Sequence, residues 1–196
     1  MAGPFPTPNI GDGWMPSSGV LAAEDSLGHD VLVDWCLALL TGAAGGADRK
    51  TPSLRWIGGP AAGTDCDRHH WARSDLNYWP RVWAARALRY AWDDRAAGPV
   101  IAGLDDDAWR VREHCCAVVG LRELADAADR LAELTDPDQE DAPRVRTAAV
   151  KALAQVGEFE HGDALQRAMI DPDRKVRDAA DAALERLAER IDRPLR

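Results

Sequence analysis

The chain is 196 residues long and carries 33 acidic against 24 basic side chains, a formal net charge of −9 at pH 7. Its 46% hydrophobic and 29% charged residues match a globular protein and exclude a disordered or collagen-like chain. The negative charge argues against broad binding to nucleic-acid backbones, and no apolar run reaches the roughly 18 residues that a membrane helix needs.

The N-terminal part, residues 1–74, is expected to differ in kind from the rest. Residues 1–19 are rich in proline and glycine and lack the basic and apolar regions of a secretory signal, so we expect an irregular or extended segment. Residues 29–40 predict a fully buried helix that caps the following repeats. Residues 47–70 contain no clear element, and a loop of that length is typically functional or disordered.

The four cysteines lack the spacing of a disulfide framework. Cys115 and Cys116 are adjacent, and Cys36 and Cys66 form no C-x-x-C motif. We therefore expect reduced thiols and a cytoplasmic protein, with the adjacent pair packed as small apolar residues in a helix.

From residue 75 onward the chain repeats itself. Four arginines begin the same pattern at intervals of 31, 34 and 31 residues, namely Arg81, Arg112, Arg146 and Arg177. Small or apolar residues follow each arginine at the third, sixth and seventh positions, which lie on one face of a helix. An acidic residue stands six positions before each arginine, and these are Asp75, Asp106, Glu140 and Asp171.

Second helical segments separate the repeated helices. They are predicted over residues 96–104, 124–134 and 163–170, and each ends in a turn rich in aspartate, two of them with proline. The chain from residue 75 to 196 therefore reads as a series of helix pairs. Because a single pair cannot bury its own apolar face, neighbouring pairs are expected to stack.

This organisation resembles HEAT repeats, most closely the short bacterial type similar to the repeats of phycobilisome lyases. The junction Asp171-Pro172-Asp173-Arg174-Lys175-Val176-Arg177 carries the resemblance, which covers about residues 75–192. It implies an all-α fold, an α-solenoid of about four helix pairs over residues 75–196 behind an atypical N-terminal helical cap and long loop. It also implies a hydrogen-bonded ladder with the rungs Asp75/Arg81, Asp106/Arg112, Glu140/Arg146 and Asp171/Arg177.

All eight tryptophans lie at or before residue 109. Trp79 and Trp83 are four residues apart on one predicted helix, and Arg86 follows three residues later, so the three side chains share a face. One hypothesis is a stacking platform for a planar ligand or an aromatic side chain. The alternative, which we favour, is that the rings fill the junction between the N-terminal cap and the first repeat.

A short loop holds the metal-binding side chains of the N-terminal part. Cys66, His69 and His70 are weak candidates for a transition-metal site. A tetrahedral site needs further ligands, and no second Cys/His pair with suitable spacing is present. The favoured alternative is a polar surface loop, and we expect neither a metal nor a cofactor.

No arrangement of residues predicts catalysis convincingly, so the favoured function is a non-enzymatic scaffold that binds a protein or peptide through the surface of its second helices. The candidate contact residues are Trp79, Trp83, Arg86, Trp109, Arg130 and Arg167. One alternative is a small-molecule-binding protein or lyase-like enzyme with an aromatic pocket between the N-terminal third and the first repeat. A second alternative is a DNA-binding HEAT-like protein whose repeated arginines contact phosphates; we expect no membrane contact.

Overall fold

The computed structural model describes residues 4–9, 11, 13–48, 50–73 and 75–195, without the side chains of residues 65–68. Regular structure in this part is entirely helical, which confirms the all-α class. The α-helices are α1 (Pro16–Leu27), α2 (His29–Leu40), α3 (Arg55–Gly58), α4 (Trp79–Ala87), α5 (Ala97–Ala102), α6 (Trp109–Arg122), α7 (Ala128–Glu133), α8 (Pro143–Val156), α9 (Gly162–Ala168) and α10 (Arg174–Arg190).

The chain divides into two compact units, residues 1–99 and 100–196. This division places α4, the first of the repeated helices, in the N-terminal unit. Compactness and repeat boundaries are different properties, so the repeat boundary expected between residues 74 and 75 stays a prediction.

In the N-terminal unit, α2 packs against α4, and α1 packs against α2, α3 and α4. Helix α2 has the predicted bounds, but it is buried on one face only: Leu32 and Leu39 are buried, whereas Asp30 and Asp34 lie in solvent. Their carboxylates accept hydrogen bonds from Arg95, which keeps that face of α2 polar.

Helix α1 begins inside the segment that was expected to be irregular. Pro16 stands at its first position, where a missing N–H costs nothing, and Ser18 and Met15 exchange hydrogen bonds across the first turn. Residues 47–70, which suggested no element, contain α3, the 3₁₀ segment Gly59–Ala62 and most of a second 3₁₀ segment, Asp65–Ala72. The described parts of residues 1–19 and 47–70 therefore contain more regular structure than their composition predicts.

In the C-terminal unit, the long helices α6, α8 and α10 lie side by side, with α8 in contact with both neighbours. The shorter α7 packs against α8 and α9, and α9 packs against α10. Helices α6 and α8 approach closely at Gly120, where an added Cβ would lie 3.0 Å from the Cα atom of Ala152. A side chain at position 120 would therefore separate the two helices.

The repeated small and apolar positions are buried in every one of the four helices, as the sequence predicted. They are Ala84, Ala87 and Leu88, then Cys115, Val118 and Val119, then Ala149, Ala152 and Leu153, and finally Ala180, Ala183 and Leu184. Among the described residues, no helix combines the length and the apolar character needed to cross a bilayer.

Candidate functional site

The most highly organised polar structure in the C-terminal unit consists of two ion pairs that link α6 and α8 to the turns before α8 and α10. Arg146, on α8, donates from Nε and Nη2 to the two carboxylate oxygens of Asp171 at 2.7 and 3.0 Å. Its Nη1 donates to the backbone carbonyl of Glu140 at 2.8 Å. The Asp171 side chain is 0% exposed and also accepts a hydrogen bond from the Asp173 amide at 2.7 Å, so this buried charge is fully paired.

Arg112, on α6, repeats this arrangement one junction earlier. Its Nε and Nη2 donate to the Glu140 carboxylate at 2.6 and 2.9 Å, and its Nη1 donates to the Asp106 carbonyl at 2.7 Å. Glu140 in turn accepts from the Ala142 amide at 2.8 Å. Each carboxylate therefore connects the arginine of one helix to the first turn of the next.

This pairing differs from the predicted rungs in one respect. The acid six residues before Arg112, Arg146 and Arg177 supplies a backbone carbonyl. The carboxylate that binds Arg112 or Arg146 comes instead from the following junction. The predicted pairs Asp106/Arg112, Glu140/Arg146 and Asp171/Arg177 are therefore carbonyl contacts. One guanidinium makes both contacts because its Nε and Nη2 face the carboxylate while Nη1, outside that edge, faces the carbonyl.

In the first predicted rung, Asp75/Arg81, the Asp75 carboxylate accepts hydrogen bonds from Arg73. Arg73 donates to both Asp75 oxygens at 3.2 and 3.1 Å, and this hydrogen bond lowers the pKa of the Asp75 carboxyl. Both side chains are exposed, so this pair contributes little to stability.

The ion pair of Arg146 also argues against its predicted role as a contact to DNA phosphates. All three donating nitrogens of Arg146 are used within the protein, and its side chain is 4% exposed. A guanidinium in that position presents no donor to a nucleic-acid backbone. Arg146 is therefore a structural residue.

The second helices carry the predicted contact residues Arg130 and Arg167. Arg130, on α7, donates to Asp105 at 2.8 Å and to Glu133 at 2.7 Å, so its charge is compensated. Arg167 is exposed on α9. The exposed acids of the first of these segments, Asp126, Asp129 and Glu133, lie at helical spacings of three and four and form an acidic stripe along α7 and the turn before it.

Trp79, Trp83 and Arg86 lie together on α4, where Trp83 is buried and the other two are half-buried. Trp83 is 2% exposed, and its ring meets that of Trp71 edge to face at a centroid distance of 4.8 Å. Trp79 lies 5.9 Å from Trp83, and Arg86 donates to the carbonyl of Ile57 at 2.6 Å. Burial lowers the pKa of the Arg86 guanidinium. Trp83 and Arg86 therefore join α4 to residues that precede it in the chain. That the rings fill a junction between an N-terminal cap and a first repeat stays a prediction.

A different pair of tryptophans borders an open cavity of about 250 Å³. Trp14 and Trp56 line it, together with Pro8, Asn9, Gly11, Gly13, Ser18, Gly19 and Ala22. The Trp56 Nε1 group donates to the Pro6 carbonyl at 3.2 Å and so holds the N-terminal segment in place. Gly59, with φ +62°, contacts the Trp14 ring so closely that a Cβ would lie 2.4 Å from it.

Trp109, at the start of α6, is half-buried and lies beside two cations. The guanidinium carbons of Arg110 and Arg144 lie 4.2 and 5.6 Å from the centroid of its ring. Arg144 is also paired with Glu113, so this group is a small aromatic and charged patch on the first helices.

The predicted metal candidates do not come together as a described site. His69 and His70 are exposed, and the side chain of Cys66 lies outside the described residues. Within the described part of the chain, no group of three or more His, Cys, Asp or Glu side chains is arranged to hold a metal ion. Burial raises the pKa of Cys36 to about 12 and also raises the pKa of Cys115 and Cys116.

Sequence reasoning overlooked Trp14 and Trp56 as a pair. The only signal was the cluster of glycines and prolines around Trp14, which admits a large ring close to the backbone. Comparisons of this chain with known protein families and with characterised proteins find no match.

Proposed function

We propose that this chain is a HEAT-like repeat protein and that it acts as an interaction module for a protein or peptide partner. The observation that carries the proposal is the buried ladder of Arg112 with Glu140 and Arg146 with Asp171. Successive junctions of the C-terminal unit use the same chemistry at the same positions, as expected of stacked repeats.

Such a ladder favours a rigid surface over a mobile one. Each bidentate pair fixes both the separation and the orientation of two neighbouring helices, because its donors and acceptors are planar. A surface that keeps its shape loses little conformational entropy when it binds, and this favours recognition of an extended partner.

The acidic stripe of Asp126, Asp129 and Glu133 is the surface on which we expect contact. Residues 100–196 contain 22 acidic and 15 basic side chains, so most of the negative charge of the chain lies in this unit. The Asp129 side chain is 98% exposed and that of Glu133 is 62% exposed. A partner segment with basic character would complement this charge.

Affinity capture with matched charge variants tests the proposal. The variant Asp126→Lys/Glu133→Lys changes the acidic stripe, and the control Asp181→Lys/Glu185→Lys makes the same charge change on α10. We expect a basic partner that the wild type and the control retain and the stripe variant loses. Isothermal titration with the purified partner then measures the loss, expected to be roughly tenfold or more. Equal binding by all three proteins, or no partner that any of them retains, contradicts the proposal.

A second candidate function is binding of a small planar ligand in the cavity beside Trp14 and Trp56. The supporting observation is that two indoles and several glycines line a space of about 250 Å³. Quenching of tryptophan fluorescence by planar ligands, lost in Trp14→Leu and kept in Trp92→Phe, would favour this candidate over the interaction module.

A further inference from the structure

The last described residues of the chain fold back onto the surface of α9. Helix α10 ends at Arg190, and the chain reverses at Asp192, whose φ of +51° lies in the left-handed region. Non-glycine residues seldom adopt that conformation, although aspartate tolerates it better than most. After this reversal, residues 193–195, here called the tail, contact α9 and the turn before it.

The tail makes three kinds of contact with one face of α9 and the 3₁₀ turn before it. Leu195 is 8% exposed and packs on Gly162, where an added Cβ would lie 3.0 Å from Leu195 Cδ2. The Leu195 carbonyl accepts a hydrogen bond from Gln166 Nε2. The guanidinium carbon of Arg193 lies 4.2 Å from the centroid of the Phe159 ring.

The three residues that receive the tail lie close together, and their shared surface is here called the α9 groove. Phe159, Gly162 and Gln166 follow one another at spacings of three and four residues, so they lie along one side of the helical segment. Phe159 supplies an aromatic face, and Gly162 leaves space for a branched side chain. The side-chain amide of Gln166 donates a hydrogen bond to a backbone carbonyl. In peptide recognition generally, side-chain pockets give specificity and hydrogen bonds to the main chain add affinity, and the tail makes a contact of each kind here.

Charge at the rim favours a cation at the position of Arg193. Glu158, Glu160 and Asp163 flank the groove in sequence and are exposed, and Glu158 already lies 3.8 Å from the Arg190 guanidinium. Pro194 limits the backbone between the two anchors, since its ring fixes φ. The tail thus combines arginine, a stiff residue and leucine in the order that the groove fits.

We propose that the α9 groove is a docking site for an extended partner segment with an arginine two residues before a leucine, and that the tail occupies it within the chain. The inference deepens the proposed function, on which it rests, by naming the segment that one surface recognises. The tail competes from within the same molecule at an effective concentration on the order of millimolar, so a partner binds after displacing it.

Nuclear magnetic resonance on the 196-residue chain tests the proposal. The variant Leu195→Asp opens the groove, and the probe is a synthetic peptide with the sequence of residues 191–196. We expect the peptide to shift the backbone amide of Gly162 and the side-chain amide of Gln166 saturably in this variant. Wild type should respond roughly tenfold more weakly, because its own tail occupies the groove.

Two matched controls make the result specific. A peptide in which the leucine is replaced by aspartate should not bind, and neither should the protein Leu195→Asp/Gly162→Leu, whose groove is filled. If circular dichroism shows that Leu195→Asp disturbs the fold, Leu195→Ala replaces it as the opened protein. No response of the opened protein, or an equal response of the filled one, overturns the inference.

The outcome is separable from that of the proposed function. If a partner binds through the acidic stripe of α7 but the peptide causes no shift at the groove, this inference alone is refuted. If the groove binds the peptide but no partner depends on the α7 stripe, the proposed acidic contact surface is refuted and the docking site on α9 is supported.

Discussion

Removal of the Arg146 guanidinium is the sharpest test of the buried ladder. Arg146→Met keeps the aliphatic stem but leaves Asp171, whose side chain is 0% exposed, without its cation. Breaking a buried pair in this way costs about 3–5 kcal/mol, because an uncompensated charge stays in a poorly solvated place. With a urea m value of about 2 kcal/mol/M, the unfolding midpoint should fall by roughly 2 M.

The assay is urea unfolding followed by far-ultraviolet circular dichroism. Arg174→Ala serves as the control, since Arg174 forms an exposed pair with Asp178 at 3.4 Å and should contribute less than about 1 kcal/mol. The double variant Arg146→Met/Asp171→Asn should recover part of the loss, because asparagine is neutral and its oxygen still accepts from the Asp173 amide.

Two results would refute this reasoning. One is an Arg146→Met variant that loses no more stability than Arg174→Ala. The other is a double variant that is less stable than the single one, which would mean that the Asp171 carboxylate stabilises α10 independently of the arginine.

Two further predictions concern packing and thiol chemistry. Gly120→Val should destabilise the chain by about 1–3 kcal/mol in urea unfolding, because its side chain meets the backbone of α8, whereas Gly98→Ala, with open space around it, should change stability by less than about 1 kcal/mol. Cys36, whose pKa burial raises to about 12, should resist iodoacetamide at pH 8 in the folded chain and react in urea, as read by peptide mass spectrometry. Rapid alkylation of Cys36 in the folded protein, or a Gly120→Val variant with unchanged stability, would contradict the packing described.

The sequence predicted the repeated helices well because their signal is periodic. The buried positions after Arg112, Arg146 and Arg177 follow from helix geometry alone, and the acids and arginines of the ladder were found from their constant spacing. The spacing does not tell a backbone carbonyl from a carboxylate, so the predicted carboxylate partners of Arg112 and Arg146 are wrong by one junction.

The N-terminal unit was harder to predict, because its structure depends on contacts that are distant in sequence. Helical spacing places Trp79, Trp83 and Arg86 on one face, but it does not say that Trp71 and the Ile57 carbonyl cover that face. Helix α1 follows a stretch rich in proline and glycine, which hid a good start signal at Pro16.

The ladder has a direction, and damage to it is therefore unequal. Loss of the Asp171 carboxylate would leave Arg146 of α8 and the Asp173 amide at the start of α10 without their acceptor, so one substitution would affect two helices. Among the described residues, Arg177 donates hydrogen bonds to two carbonyls of its own turn, those of Asp171 and Pro172, so the effect of its loss should stay local. Substitutions at the junction acids should consequently be tolerated less readily than those at the final arginine.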